Sequence, residues 1–308
     1  MRDRRATTRN GVTLIRPIPL WLLRILWVTL PLTAGTAASA ALRDWAVGPR
    51  TAAETMLWLS WSAGLLATLS PRPQGLTALR TIAPAFAVFA IVAAFNDAPS
   101  TIATVVAIAT TVIVAALASS HDIALAAANA IAYGDERRVP LRIPPALFLA
   151  PLPIARALVV AATVSGPLLL ADGRIALGLV ALAIGAPLVV LLARSLHQLS
   201  QRWAVLVPAG FVVVDPMTLA DPVLFVRQRI AAMCEADPRP ASNPQVLDLR
   251  LAAAAGSIAV QLTEPGEVTR VGRGRRPAET VRTSELRIAT VRRKELLREA
   301  AARRIRVL

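Results

Sequence analysis

The chain has 308 residues, of which 55% are hydrophobic and only 17% charged, with a formal net charge of +15 and a mean hydropathy of +0.56. A soluble domain is about 45–50% apolar and about 25% charged. The shortage of charge, concentrated before residue 194, therefore excludes an ordinary globular protein and marks the first part of the chain as lipid-soluble. A single cysteine, Cys234, excludes an intrachain disulfide and reads as a structural thiol; of the 34 basic residues only Lys294 is a lysine, a bias of genome composition with no functional content.

Residues 1–17 form a basic tail with Arg2, Arg4, Arg5, Arg9 and Arg16. Six apolar segments follow, about 18–42, 55–70, 81–95, 101–120, 146–171 and 175–193, and predict an all-α polytopic membrane bundle. A membrane helix needs about 20 apolar residues, with a range of about 17–25. The second and third segments are short, so they are expected to draw in their flanks, thin the bilayer locally or fold as a hairpin that does not fully cross. The first segment shares features with a secretory signal, but its apolar run exceeds the usual ~7–15 residues, and Trp21 and Trp27 beside Arg24 fit an interfacial anchor better.

Arginines in the connections set the orientation. Residues 43–54 offset two arginines with Asp44 and Glu54, residues 71–80 carry two without an acid, and residues 96–100 carry none. Residues 121–145 then carry Arg137, Arg138 and Arg142, residues 172–174 one arginine, and the chain from Arg194 onward is strongly basic. Arginine near span ends is retained in the cytoplasm, so the expectation is a multi-pass protein of the cytoplasmic (inner) membrane with both termini cytoplasmic.

Ionisable groups at membrane depth are the functional suspects. Arg24 and Arg156 are the two here, each either a structural anchor or a contact for an anion, with Pro151 and Pro153 freeing carbonyls near Arg156. No Asp, Glu or His stands partway across to exchange a proton, which disfavours ion-coupled transport. No metal-ligand set, nucleophile–base pair or cofactor motif is present, so neither a cofactor nor an enzymatic activity is expected. The neighbours His121 and Asp122 read as loop charges, and Asp135 and Glu136, the one candidate for the acidic motif of a membrane transferase acting on lipids, are better explained as a charged loop turn. Trp58 and Trp61, three residues apart, read as packing rather than as the lining of a groove.

Residues 200–308 carry 18 basic and 11 acidic side chains, a net charge of +7, and turn strand-like. Runs at 203–208 and 211–215 flank a tight turn at Ala209 and Gly210. Others lie at 223–226, 246–251, 258–262 with a turn at 264–267, and 285–291, before a helix at 294–305. Strands followed by one terminal helix are the order of a pleckstrin-homology-like barrel, so the expectation is a small, mainly-β cytosolic domain with a C-terminal helix. The stretch from Arg202 and Trp203 through Val212, Val213 and Val214 to Asp215 and Pro216, with Glu299 to Ile305, resembles the C-terminal part of uncharacterised multi-pass actinobacterial membrane proteins. The resemblance covers about a third of the chain and implies a membrane bundle with a cytosolic domain. The terminal helix lacks the tryptophan usual in pleckstrin-homology domains.

The basic loop Arg270, Arg273, Arg275 and Arg276 is a candidate contact for anionic lipid, where each arginine near an anionic leaflet contributes about 1 kcal/mol. It lacks the ending of a phosphate-binding loop and the interleaved aromatics of a nucleic-acid surface, so nucleic acid is not an expected partner. The leading expectation is a non-enzymatic scaffold or anchor in the lipid bilayer, its basic domain on anionic lipids or a cytosolic protein. The alternative is a passive or substrate-specific transporter for an anionic solute, with the domain regulatory.

Overall fold

The computed structural model of the chain describes residues 18–95, 101–241, 243–272 and 277–308. Helices α1 (Ile18–Thr33) and α2 (Gly35–Ala41) follow each other across a break at Ala34, then come α3 (Val47–Leu69), α4 (Pro73–Ala94), α5 (Thr101–Ser119) and α6 (His121–Asn129). A short strand β1 (Arg137–Pro140) precedes α7 (Pro145–Leu149), α8 (Pro151–Ala171) and α9 (Ile175–Ser200). Among the described residues, five helical stretches are long and apolar enough to cross a membrane: Ile18–Ala41, Pro73–Ala94, Thr101–Ser119, Pro151–Ala171 and Ile175–Ser200. α3 has the length, 23 residues, but begins with Arg50 and Glu54.

The second and third helices are longer than the apolar runs at 55–70 and 81–95, starting at Val47 and Pro73. Both runs were bounded by charges that the helices in fact absorb. Arg50 Nε donates to Glu54 one turn on, at 2.9 Å, and Arg80 reaches the carbonyls of Ala118 and Ser120 at the end of α5, at 3.4 and 3.5 Å.

Tryptophan and glycine set the helix spacing. Pro31 has no N–H for the carbonyl of Trp27, and the indole of Trp61 donates to that carbonyl at 2.9 Å. The indole of Trp27 returns the bond to the carbonyl of Trp61, also at 2.9 Å. Trp27 is fully buried because Gly64 makes room for it: a Cβ there would lie 1.9 Å from the ring. α8 and α9 pack as a tight hairpin through Gly166, Gly178 and Gly185, where an added Cβ would meet the facing helix within 3 Å. Small residues permit this approach, and dispersion drives association where lipid is as apolar as the side chains.

After α9 come β2 (Trp203–Val207), β3 (Gly210–Val214), β4 (Val223–Val226), β5 (Ile230–Glu235), β6 (Val246–Asp248), β7 (Ser257–Arg270), β8 (Glu279–Ala289) and α10 (Arg293–Ala302). They form two four-stranded sheets, ordered β1-β2-β3-β4 and β5-β7-β8-β6, with β6 parallel to β8. Leu206, Phe211, Met233, Ile258, Leu286 and Leu296 meet in one core shared by both sheets and α10. The turn expected at 264–267 is absent: β7 runs through it, because its two halves pair with the same strand β8, and the bend is taken up as a register shift between Gln261 and Gly266. Strand β5 gave no clear alternation in the sequence.

The domain is built into the bundle. β1, from the α6–α7 connection, pairs with β2 from Arg137↔Leu206 to Pro140↔Trp203. Leu141 bridges Thr290, Arg137 pairs with Glu295, Arg292 pairs with Asp122, and Arg303 donates to the carbonyl of Asp135 at 2.9 Å. Arg202 and Asp215 close the junction below α9 as a fully buried two-point pair, 2.7 and 2.8 Å, while Arg202 Nη1 donates to the carbonyl of Arg142.

Candidate functional site

Of the two arginines expected at membrane depth, Arg24 is committed to structure. Its Nε donates to the carbonyl of Thr68 at 3.0 Å and Nη2 to that of Leu69 at 3.4 Å, and its guanidinium lies 4.9 Å from the Trp21 ring centroid. It caps the carbonyl end of α3, where cations are favoured. Arg156 has no such partner. Among the described residues no carboxylate or carbonyl accepts from it, and the carbonyls freed by prolines 151 and 153 are not used.

The structure brings Arg156 to a residue that sequence reasoning passed over. Arg80 on α4 and Arg156 on α8 line one small cleft with Thr77, Thr81, Leu152 and Ser200, of about 20 Å³, close enough for the two charges to repel. Thr77 and Ser200 share a hydrogen bond at 3.0 Å, and His197 Nδ1 faces both hydroxyls at 3.5 and 3.4 Å. The amide of Gln201 lies 2.9 Å from His197 Nε2. No acidic side chain lines the cleft. Asp122, beside His121 at the start of α6, is paired with Arg292. The positive field extends to His121, whose pKa is pulled below its ordinary value first by burial and then by Arg142, Arg80 and Arg292, against Asp122. Arg80 was detectable as an arginine without a neighbouring acid seven residues into a 22-residue helix; its meeting with Arg156 was not.

The basic loop is described only in part. Arg273, Arg275 and Arg276 lie outside the described residues. Arg270 closes β7, bridges Leu219, and is flanked by the bonds Ala220 N to Thr269 O and Val271 N to Thr218 O, both 3.0 Å. The 215–222 connection joins the ends of β3 and β4 that pair beside Trp203 and Asp215, so the root of the loop lies at the edge of the domain where α9 enters.

At the opposite end, the α1–α2 break opens a chamber of about 780 Å³ between α1, α2, α3 and α4. Trp58, Trp61, Phe86 and Phe89 line it, with Arg43, Arg50 and Glu54 at one side. The tryptophans, 5.5 Å apart edge-to-face, thus line a cavity rather than only pack. The chamber shares no lining residue with the arginine cleft. Among the described residues no cluster of His, Cys, Asp or Glu is placed to hold a metal ion. Cys234 is partly buried on β5, and burial followed by Glu285 raises its thiol above the ordinary value, against Arg287, which fits an inert side chain. Glu136, beside Asp135, pairs with Arg138 at 2.9 Å as a charged turn.

A bundle of apolar helices that shares a sheet with a β domain defines a membrane-embedded class of protein. The chain matches no family model, no curated protein and no solved structure.

Proposed function

We propose that the chain is a six-span protein of the cytoplasmic membrane, with both termini in the cytoplasm, whose β domain is a rigid platform held against the anionic leaflet. The observation that carries this reading is the shared sheet: β1 belongs to the bundle's own connection, so the domain is fixed to the end of the bundle rather than tethered by a linker. α3, at about 1.5 Å per residue over 23 residues, is about 34 Å long and matches a hydrocarbon core of about 30 Å. Arg24 at the carbonyl end of α3 supports antiparallel spans, with the start of α1 and the end of α3 on one side. The two sheets capped by α10 are read as a pleckstrin-homology-like unit, since α10 touches both β2 and β5. The platform's work is scaffolding: it offers anionic lipids or a cytosolic protein its basic sequence Arg270, Arg273, Arg275 and Arg276, of which the described Arg270 lies at the edge where α9 enters.

Two measurements test it. Reporters fused after Asp44, Arg72, Ala98, Arg142, Asp172 and Leu308 are expected to alternate, with Leu308 cytoplasmic; a periplasmic Leu308 overturns the orientation. With the full chain in nanodiscs, phosphatidylglycerol is expected to shield the 270–276 arginines from trypsin where phosphatidylcholine does not, and equal cleavage overturns the leaflet contact. The second reading, passage of an anionic solute, is favoured by the unpaired guanidinium of Arg156 alone, since Arg24 is bonded to carbonyls.

A further inference from the structure

The Arg80–Arg156 cleft is unbalanced in charge. Arg80 and Arg156 are both half-buried, and two like charges held in one cleft add repulsion to the desolvation each has incurred. Arg80 has only long bonds to Ala118 and Ser120, Arg156 has no acceptor among the described residues, and the lining contributes hydroxyls but no carboxylate. Asp122 is paired with Arg292, and the other groups whose charges act on His121 beside it, Arg142 and Arg80, are cationic. Among the described residues the cleft thus holds two cations and no counter-charge.

We propose that the cleft is a binding site for a phosphate group, with Arg80 and Arg156 as its two cations; the Thr77 and Ser200 hydroxyls shape its wall, since they already donate to the carbonyls of Pro73 and His197. A space of about 20 Å³ admits one water-sized atom, so a single phosphate oxygen enters while the rest of the group stays at the mouth. Guanidinium suits this role because its planar fork matches phosphate oxygens at two points. Arg156 is the sixth residue of α8 and Arg80 the eighth of α4, so each lies about 8–10 Å below its helix start. That is within reach of headgroups if this end faces the leaflet, and the lipid source of the phosphate rests on the orientation proposed above. A free phosphate or a soluble phosphoester carries the same chemistry.

The test uses the full chain in neutral detergent at constant ionic strength. Thermal unfolding is followed while inorganic phosphate, dispersed short-chain phosphatidylglycerol or chloride is titrated, for the wild type, Arg156→Gln and Arg156→Lys. The wild-type midpoint is expected to rise with phosphatidylglycerol. A rise with inorganic phosphate as well assigns the site to phosphate in general, and no rise with inorganic phosphate assigns it to the lipid headgroup. Arg156→Gln is expected to lose the shift. Without ligand it is expected to unfold at the same or a higher temperature than the wild type, because a repelling charge has gone. Arg156→Lys, which keeps the charge but not the fork, is expected to retain a reduced shift and keeps the test valid should the glutamine variant not fold. A wild type that does not respond, an equal shift in the variants, or chloride as effective as phosphate overturns the site. Since detergent imposes no sidedness, failure here leaves the orientation standing, and reporters of opposite sense leave the site standing.

Discussion

Gly64 shows how closely the bundle is fitted at the scale of one residue. A methyl group there would overlap the six-membered ring of Trp27, which is itself locked by its exchange of hydrogen bonds with Trp61. Overpacking of this kind costs about 1–3 kcal/mol or more, so Gly64→Ala is expected to lower the unfolding midpoint in detergent, whereas Gly35→Ala, where a Cβ meets nothing within 4 Å, is expected to leave it unchanged or raise it. In the β domain the comparable residue is Arg250, 3% exposed, which donates to both oxygens of Asp248 and to the carbonyls of Asp237 and Arg239. It holds a turn in which Leu251 and Ala252 take φ of 51° and 67°, a region unfavourable to side chains. Burial raises the pKa of Asp248, but the hydrogen bonds and charge of Arg250, with Arg287, outweigh it and leave the carboxyl below its ordinary value. A carboxylate depressed in the folded state adds stability above its unfolded pKa of about 3.9 and loses it as pH falls through the folded value. Urea unfolding of the domain is accordingly expected to be insensitive to this group between pH 5 and 8 and to weaken below about pH 4, with Asp248→Asn less stable at neutral pH but flatter in acid.

At the scale of elements, the junction between α9 and β2 depends on the pair Arg202 and Asp215. Both side chains are out of solvent, and Asp215 also accepts from the backbone N–H of Met217 at 3.1 Å. Removing one partner of such a pair costs about 3–5 kcal/mol, because the other charge stays buried. Asp215→Ala is therefore expected to destabilise by that order in chemical denaturation. The double change Arg202→Met with Asp215→Leu is expected to recover much of the loss.

For the whole molecule, the consequence of β1 is that residues 200–308 are expected not to fold fully on their own. Without 137–141 the core loses Val139 and Leu141, and β2 becomes an open edge. Open edges pair with other chains. The isolated fragment is expected to be aggregated or only partly protected in amide exchange, whereas in the intact protein β2 is protected. Equal protection in both would show that the bundle contributes nothing to the domain.

The membrane class, the apolar runs and the position of most strands were legible in the sequence, because hydropathy and alternation are local properties of the chain. Strands 203–207 and 223–226 fall where β-branched residues cluster, and the terminal helix where Glu, Leu, Ala and Arg recur on one face. Tertiary structure alone decided what is non-local: that residues 137–140 complete a sheet begun some sixty residues later, that Arg24 serves the end of α3, and that the bend at 264–267 is a bulge. The same holds for Arg80 and Arg156, which stand 76 positions apart in the chain. Their charges face each other only because α4 and α8 pack side by side, and spacing along a sequence carries no record of such an encounter.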